Sequence, residues 1–329
     1  MRRWGAPLAA LVAARALSAA AALWVGVNPL RTESWVRFDS HLYLELARQG
    51  YTLFACPPES GYAASQWCGN AGWFPLYAWI GPGPLLSLLC EAGFLFLTWR
   101  LLLHERSFAA LLLAALFPGC IYQQAVFPVS LFLLCAVRFL AALERGRAAP
   151  AVAAGALAAM TYPTGVLLAP VALIRRALWP ALAVAAGAAV VLAVAWHQTG
   201  RWNAYLLVQS KYEFAFAPLD ALLVRLKPLV NGRFRTATSF AAGAQTLLVL
   251  IMMVLSAPRW RTRPVLAVYC LIYWAFPLCL GGKLSLYRAE ALLAPMVALL
   301  PYRAIPPLLV AAAPIAFAME VAFFRGSIT

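Results

Sequence analysis

Long apolar runs and short charged breaks alternate along almost the whole chain. The first run covers residues 5–27 and leads into a polar stretch over 28–72. Apolar sequence resumes at "WFPLYAWIGPGPLLSLLCEAGFLFLTWRLLL", where Pro82 and Pro84 divide a short surface segment from the span proper. The charged turn His104-Glu105-Arg106 precedes an apolar segment ending near Gln123, and another occupies 125–143 before "ERGR". Residues 148–174 read either as one helix or as two short ones broken at "TYPTG". Further runs lie at 179–196, 236–256 and 265–280, and two more flank Arg303, with a second polar segment at 197–235. Runs of this length predict membrane-spanning helices, about eleven in all. Strands with free edges could not satisfy their backbone in lipid. The expected fold is an all-α polytopic membrane protein, one domain over 1–329, with short amphipathic helices in its exoplasmic loops.

Charge gives the runs a direction. Arg2, Arg3, Arg106, Arg145, Arg147, Arg175, Arg176, Arg259, Arg261, Arg263 and Arg303 fall on one side if 148–174 is a pair of helices. Basic short loops mark the cytoplasmic side, so the pair is favoured and 28–72, 197–235 and 281–290 are expected outside. The basic start and small residues of the N-terminus resemble a signal peptide, but its apolar stretch is long and carries Arg15; a retained first helix is expected.

Composition agrees with this picture. Hydrophobic residues make up 64% of the 329 and charged ones 11%, against roughly 25% charged in a typical soluble domain. The net charge of +15 would suggest nucleic acid in a soluble protein. Here basic cytoplasmic loops account for it, and no run of alternating basic and aromatic residues suggests a nucleic-acid partner. The segment 197–235 runs against the usual bias, with Arg201, Lys211, Arg225, Lys227, Arg233 and Arg235 against Glu213 and Asp220. Two explanations stay open: contact with lipid headgroups, or a site for an anionic ligand such as a lipid phosphate.

The three histidines are scattered and the seven cysteines show no metal-ligand spacing. Five cysteines lie in apolar runs. Cys56 and Cys68 lie in the first polar segment and can pair if it faces an oxidising compartment. That segment also contains "WVRFDSHLYLELARQGY", with one of only two aspartates in the chain. Asp39 or Ser40 suits a helix N-cap and Gly50 a stop. His41, Glu45 and Arg48 would share one face, with Glu45 and Arg48 paired, and Leu42, Tyr43, Leu46 and Ala47 the other. The pattern is that of an amphipathic helix on the membrane surface, with Asp39 at its amino end. From these residues alone Asp39 is a cap or a functional carboxylate.

Several stretches together resemble the PIG-V-type mannosyltransferases of the GT-C clan of integral membrane glycosyltransferases. "RFDSHLYLELARQGY" and "SQWCGNAGWFPLYAWI" are similar to the family's first exoplasmic loop. "TYPTGVLLAP", "TGRWNAYLLVQSKYEFAFAPLDALL" and "LSLYRAEALLAPMVALL" are similar to later elements, in family order. The resemblance implies a GT-C-like bundle in a bacterial-type plasma membrane, with its active site on the outer face. It implies inverting transfer of a sugar, mannose in the family, from a polyprenyl-phosphate donor to a lipid-linked or surface-glycan acceptor. Asp39 takes the position of the base, and Arg288, with Lys283 beside it, that of the phosphate-binding cations. Arg37, Arg201 and Lys211 are further candidates for the phosphate, and His41 for orienting the acceptor or Asp39.

Phe38 stands for the family's Trp, Tyr162 for an Arg, and Val129 for an acidic residue. The last change keeps a non-catalytic binding or scaffold protein in view. A transporter of anionic lipid would need deep ionisable residues and an internal repeat. Arg15, Glu91 and Arg138 are the deep candidates, and no repeat is evident. No cofactor is required, a divalent ion near Asp39 and Glu59 being the lesser alternative.

Overall fold

The structure is a computed structural model that describes residues 2–212, 214, 216–231, 237–280 and 286–327. Among these the chain is mainly helical. The first half contains α1 (Arg2–Trp24), α2 (Ser40–Gln49), α3 (Leu76–Ile80), α4 (Pro84–Leu97), α5 (Phe108–Ala115), α6 (Ile121–Gln124) and α7 (Val129–Glu144). Then follow α8 (Ala148–Thr161), α9 (Leu168–Leu173), α10 (Leu178–Thr199), α11 (Ala204–Ser210) and α12 (Pro218–Asn231). The last third holds α13 (Ala237–Ser256), α14 (Pro264–Cys279), α15 (Leu286–Glu290) and α16 (Ile305–Phe324). Two two-residue strands, β1 (Phe54–Ala55) and β2 (Trp67–Cys68), pair antiparallel in the first polar segment.

Among the described residues, five helical stretches are long and apolar enough to cross a membrane: Trp4–Trp24, Pro84–Leu102, Leu178–Thr199, Thr238–Arg259 and Tyr302–Phe324. Ala148–Thr161, Pro163–Leu173 and Pro264–Cys279 are shorter apolar helices. Eleven spans are not shown among the described residues, and proline and glycine interrupt several of the apolar runs. Pro118 and Gly119 separate α5 from α6, and Pro128 stands before α7. Pro295 lies within the 3₁₀ helix Ala291–Leu299. The apolar runs therefore break into pieces below membrane length. These pieces are buried among the longer helices, and α7 is apolar and covered nearly all round, as a central helix should be. The break at "TYPTG" is present, with α8 ending at Thr161 and a 3₁₀ turn over Pro163–Leu167 leading into α9.

Several polar groups inside the bundle face one another. Arg15 of α1 pairs with the fully buried Glu91 of α4 at 2.6 Å. Glu320 of α16, also fully buried, accepts from Ser18 at 2.8 Å and from the Cys120 thiol at 3.4 Å. A charge at bilayer depth is costly unless matched, so these contacts fix how α1, α4 and α16 face each other. Arg15 and Glu91 are thus spent on each other, while Arg138 is half-buried on α7. Glu320 went unnoticed in the sequence because an isolated Glu in an apolar run has no periodic signal.

The first polar segment is built as a stapled loop. Cys56 and Cys68 form a disulfide beside the β1–β2 pair. Buried Asn70 accepts from Thr52 N–H at 2.8 Å and donates to the Gly50 carbonyl at 3.0 Å. The second polar segment clamps it from above. Gln198 accepts from Tyr51 N–H at 2.7 Å and Gln209 donates to the Gly72 carbonyl at 3.2 Å.

Asn70→Ala leaves the Gly50 carbonyl and Thr52 N–H unpaired in a part-buried site. It should destabilise the loop by about 1–3 kcal/mol, seen as a lower thermal midpoint and faster proteolysis within 50–70. Peptide mass spectrometry without reduction should recover Cys56 and Cys68 in one linked species.

Candidate functional site

Asp39 owes its position to an uncommon backbone turn. Phe38, just before it, has φ of +51°, a left-handed conformation costing a non-glycine residue about 1–3 kcal/mol. Packing offsets that cost: the Phe38 ring meets Phe323 of α16 edge-on at 5.8 Å, and Trp35 meets Phe324 at 5.3 Å. The Trp35 carbonyl accepts from Val126 N–H, so the loop is held against the buried segment before α7. Asp39 occupies the N-cap position of α2, yet its side chain makes no capping bond. The cap reading therefore fails for the carboxylate.

The carboxylate instead pairs with Arg288 of α15, 249 residues later in the chain. Their side chains retain 27% and 20% exposure, so the pair is open to an incoming group while still shielded. Beneath it lies an aromatic floor. The Arg288 guanidinium stands 5.7 Å from the centre of Phe127, which meets Tyr122 edge-on at 5.2 Å and Tyr43 at 6.4 Å. Tyr122 stacks on Tyr287 at 6.1 Å. Gly119 makes this approach feasible, since a Cβ there would lie 2.5 Å from the Tyr287 carbonyl oxygen and its φ is +82°. Glu290, two residues beyond Arg288, anchors α15 by accepting from Gln245 of α13 at 2.7 Å.

Tyr162, from the break after α8, completes the group. It lines a cavity of about 50 Å³ with Thr164, Tyr273 and Arg288. Burial raises the pKa of its phenol, Arg288 acts to lower it and Asp39 to raise it, and the net shift is upward. Tyr43 is likewise raised, chiefly by burial. Both hydroxyls stay protonated near neutral pH and serve as neutral hydrogen-bond donors beside a charged pair.

The remaining expected residues divide. Lys211, just past α11, is half-buried with its ammonium 4.9 Å from the Tyr62 ring centre and 5.2 Å from that of Tyr212. Burial lowers its pKa, and Asp39 acts in the opposite direction, which places Lys211 in the field of the carboxylate. Arg201 is exposed and stacks on Trp67 of β2 at 4.8 Å, bracing the stapled hairpin. Arg37 donates to the carbonyls of Glu33 at 3.1 Å and Val36 at 3.0 Å. His41 is exposed and makes no hydrogen bond or ion pair among the described residues, so no contact holds Asp39 through it. Glu45 accepts from Gln49 at 2.8 Å and Thr52 at 3.2 Å rather than pairing with Arg48, and Ala47 is exposed. Lys283 lies outside the described residues. Glu59 is exposed on the hairpin, Asp39 is engaged by Arg288, and no group of three His, Cys, Asp or Glu side chains comes together among the described residues.

Sequence reasoning missed the aromatic floor and the place of Arg225. The Arg225 guanidinium lies 5.6 Å from the Tyr287 ring centre, bringing one cation of the anomalous 197–235 segment to the edge of the site. The floor gives little sequence signal, because its rings come from four segments and look like ordinary core residues. No protein-family model matches the chain, and no curated protein shows significant similarity to it.

Chemically, the site joins one carboxylate to one guanidinium, with a second cation within range and neutral phenols around them. Such a set can bind an anion and accept a proton. Asp39→Asn and Arg288→Gln should be non-additive in thermal stability, with a coupling of about 1 kcal/mol, modest because water reaches both groups. A double-mutant cycle on the purified protein measures it. Additive effects would mean that the two groups are not paired.

Proposed function

We propose that the chain is a membrane glycosyltransferase that moves a sugar from a polyprenyl-phosphate donor to a hydroxyl on a lipid-linked or surface glycan. The observation that supports it is the meeting of Asp39, Tyr162 and Arg288. They come from three of the stretches that resemble PIG-V-type mannosyltransferases, and they lie far apart in the chain. Lys211, from a fourth such stretch, lies in the field of the same carboxylate. A GT-C-like bundle and a mannosyl donor belong to the same proposal. On the orientation expected from the arginines, the site faces outward.

The chemistry follows from the charges. Asp39 takes the proton from the acceptor hydroxyl as its oxygen attacks the anomeric carbon. The bond from that carbon to the phosphate oxygen breaks, its electron pair leaves with the lipid phosphate, and the configuration inverts. Arg288, assisted by Lys211, receives the growing negative charge. In the resting protein Arg288 is occupied by Asp39. A donor phosphate competes for that guanidinium, and its arrival frees the carboxylate to meet the acceptor. The Tyr162 hydroxyl, in place of an arginine, supplies a hydrogen bond there without a second full charge.

A binding or scaffold role is the second reading. It is favoured by the carboxylate already being engaged and by Val129 standing where the related pattern has an acid. Transport of an anionic lipid has less support, since Arg15 and Glu91 neutralise each other.

Asp39→Asn should lower sugar transfer from polyprenyl-phosphate sugars by about 10²–10⁴-fold while donor binding persists. Arg288→Ala should weaken donor binding far more than Arg303→Ala, whose residue is exposed away from this contact. Turnover in the Asp39→Asn protein at the wild-type rate would remove Asp39 as the base. Donor binding by wild type without turnover of any donor in a panel would favour the scaffold role.

A further inference from the structure

A second cationic concavity lies at the opposite end of α14 from Arg288. Arg263 precedes Pro264, the first residue of α14, and 16 helical residues, about 24 Å of rise, separate it from the segment leading to Arg288. The 3₁₀ helix Ala291–Leu299 returns along the same path, with Tyr269 of α14 donating to its Leu292 carbonyl at 2.6 Å. The cavity at this far end measures about 250 Å³, five times the cavity beside Arg288. His104, Arg106, Arg259 and Arg263 line it, with Val297 and Tyr302 among its apolar walls.

Its shape is built rather than incidental. α4 ends in a π-helical turn over Thr98–Leu102, and His104 and Glu105 then both adopt left-handed backbone, with φ of +52° and +60°. This turns the chain so that His104 and Arg106 stand at the cavity. On the other wall, Arg259 is held by the Leu300 carbonyl at 2.8 Å and lies 5.1 Å from the Tyr302 ring centre. Arg263 is fixed by both oxygens of Glu144, at 3.1 and 2.6 Å, and by the Leu102 carbonyl at 3.1 Å.

The charges do not balance. Glu144 is matched by Arg263, and Glu105 by Arg100. Arg106, Arg259 and nearby Arg145 have no carboxylate partner among the described residues, Arg145 donating instead to the Leu101 carbonyl at 3.0 Å. His104 reports the resulting field. Desolvation, then Arg263, Arg145 and Arg106, lower its pKa, with only Glu144 acting the other way.

We propose that this cavity is a binding site for a phosphate-bearing anion, separate from the Asp39–Arg288 site and on the opposite face of the bundle. The apolar wall beside the arginines suits the glycerol and upper acyl region of an anionic phospholipid whose phosphate meets Arg106 and Arg259. A free pyrophosphate group would use the same cations without the wall. On the expected orientation, either ligand comes from the cytoplasmic side.

The test uses the full chain in nanodiscs of phosphatidylcholine containing a minor fraction of phosphatidylglycerol with a photo-crosslinker in its headgroup. In wild type the crosslinks should concentrate in 102–106 and 297–302. Native mass spectrometry should show phosphatidylglycerol retained over phosphatidylcholine, and the double variant Arg106→Ala, Arg259→Ala should reduce that retention about tenfold or more. A parallel arm measures thermal stabilisation by inorganic pyrophosphate in neutral detergent. Preference for the lipid identifies a headgroup as the ligand, and stabilisation by pyrophosphate alone identifies a soluble phosphate; both support the site. Three results would overturn it: neither anion is preferred, phosphatidylglycerol is retained but its crosslinks fall elsewhere, or Arg175→Ala, Arg176→Ala reduces retention as much as the cavity variant. If the double variant folds poorly, the wild-type crosslink map still decides the lipid arm and wild-type stabilisation by pyrophosphate the soluble one.

Discussion

The contact between Asp39 and Arg288 joins the first polar loop to a helical turn near the end of the chain. Neither group is paired locally: Asp39 makes no capping bond in its own helix, and Arg288 reaches its carboxylate across 249 positions. Half-shielded charges gain from each other what each loses by leaving water, provided the geometry is fixed from both sides. On one side the left-handed Phe38, packed on Phe323, fixes Asp39. On the other, Glu290 bound to Gln245 anchors α15, and Gly119 lets the chain before α6 approach it. The aromatic floor excludes water from below. Removing any of these supports would change the distance between the two charges before it changed the fold.

The helices around this contact obey a second constraint, that polar groups at bilayer depth face inward and match. Arg15 with Glu91, and Ser18 and Cys120 with Glu320, tie helices distant in sequence, and Arg263 with Glu144 does the same at the end expected to be cytoplasmic. The broken central pieces, α5 to α7 and Ala291–Leu299, gain their order from being enclosed by the longer helices. None of them would be expected to cross a membrane as an isolated helix.

How far this was legible from sequence depended on the range of the interaction. The amphipathic α2, the break at "TYPTG" and the reading of α1 as a helix follow from local pattern, and the structure has them; the Cys56–Cys68 pairing was open in the sequence, and the structure closes it. The number of spans did not follow, because hydropathy records apolar length and overlooks how Pro118, Gly119 and Pro128 interrupt a helix. Asp39 and Arg288 could be named as candidates through the resemblance, but their pairing could not. The roles expected of Arg37 and His41 rested on a different kind of signal. Closeness in sequence to Asp39 suggested a shared task, whereas the turn sends Arg37 to backbone carbonyls and leaves His41 in solvent.

A base held by the cation that is meant for the leaving group has a mechanistic consequence under the proposed function. Asp39 is screened by Arg288 until an anion arrives, so a hydroxyl or water entering alone meets a carboxylate whose charge is already engaged. A donor phosphate near Arg288, drawn further by Lys211, weakens that engagement as it binds. On that reading the proton acceptor would be exposed only when the sugar it should act on is present. Tyr162 fits this logic better than a second arginine would. Another full positive charge would hold Asp39 more firmly, whereas a protonated phenol can donate to phosphate without competing for the carboxylate's charge.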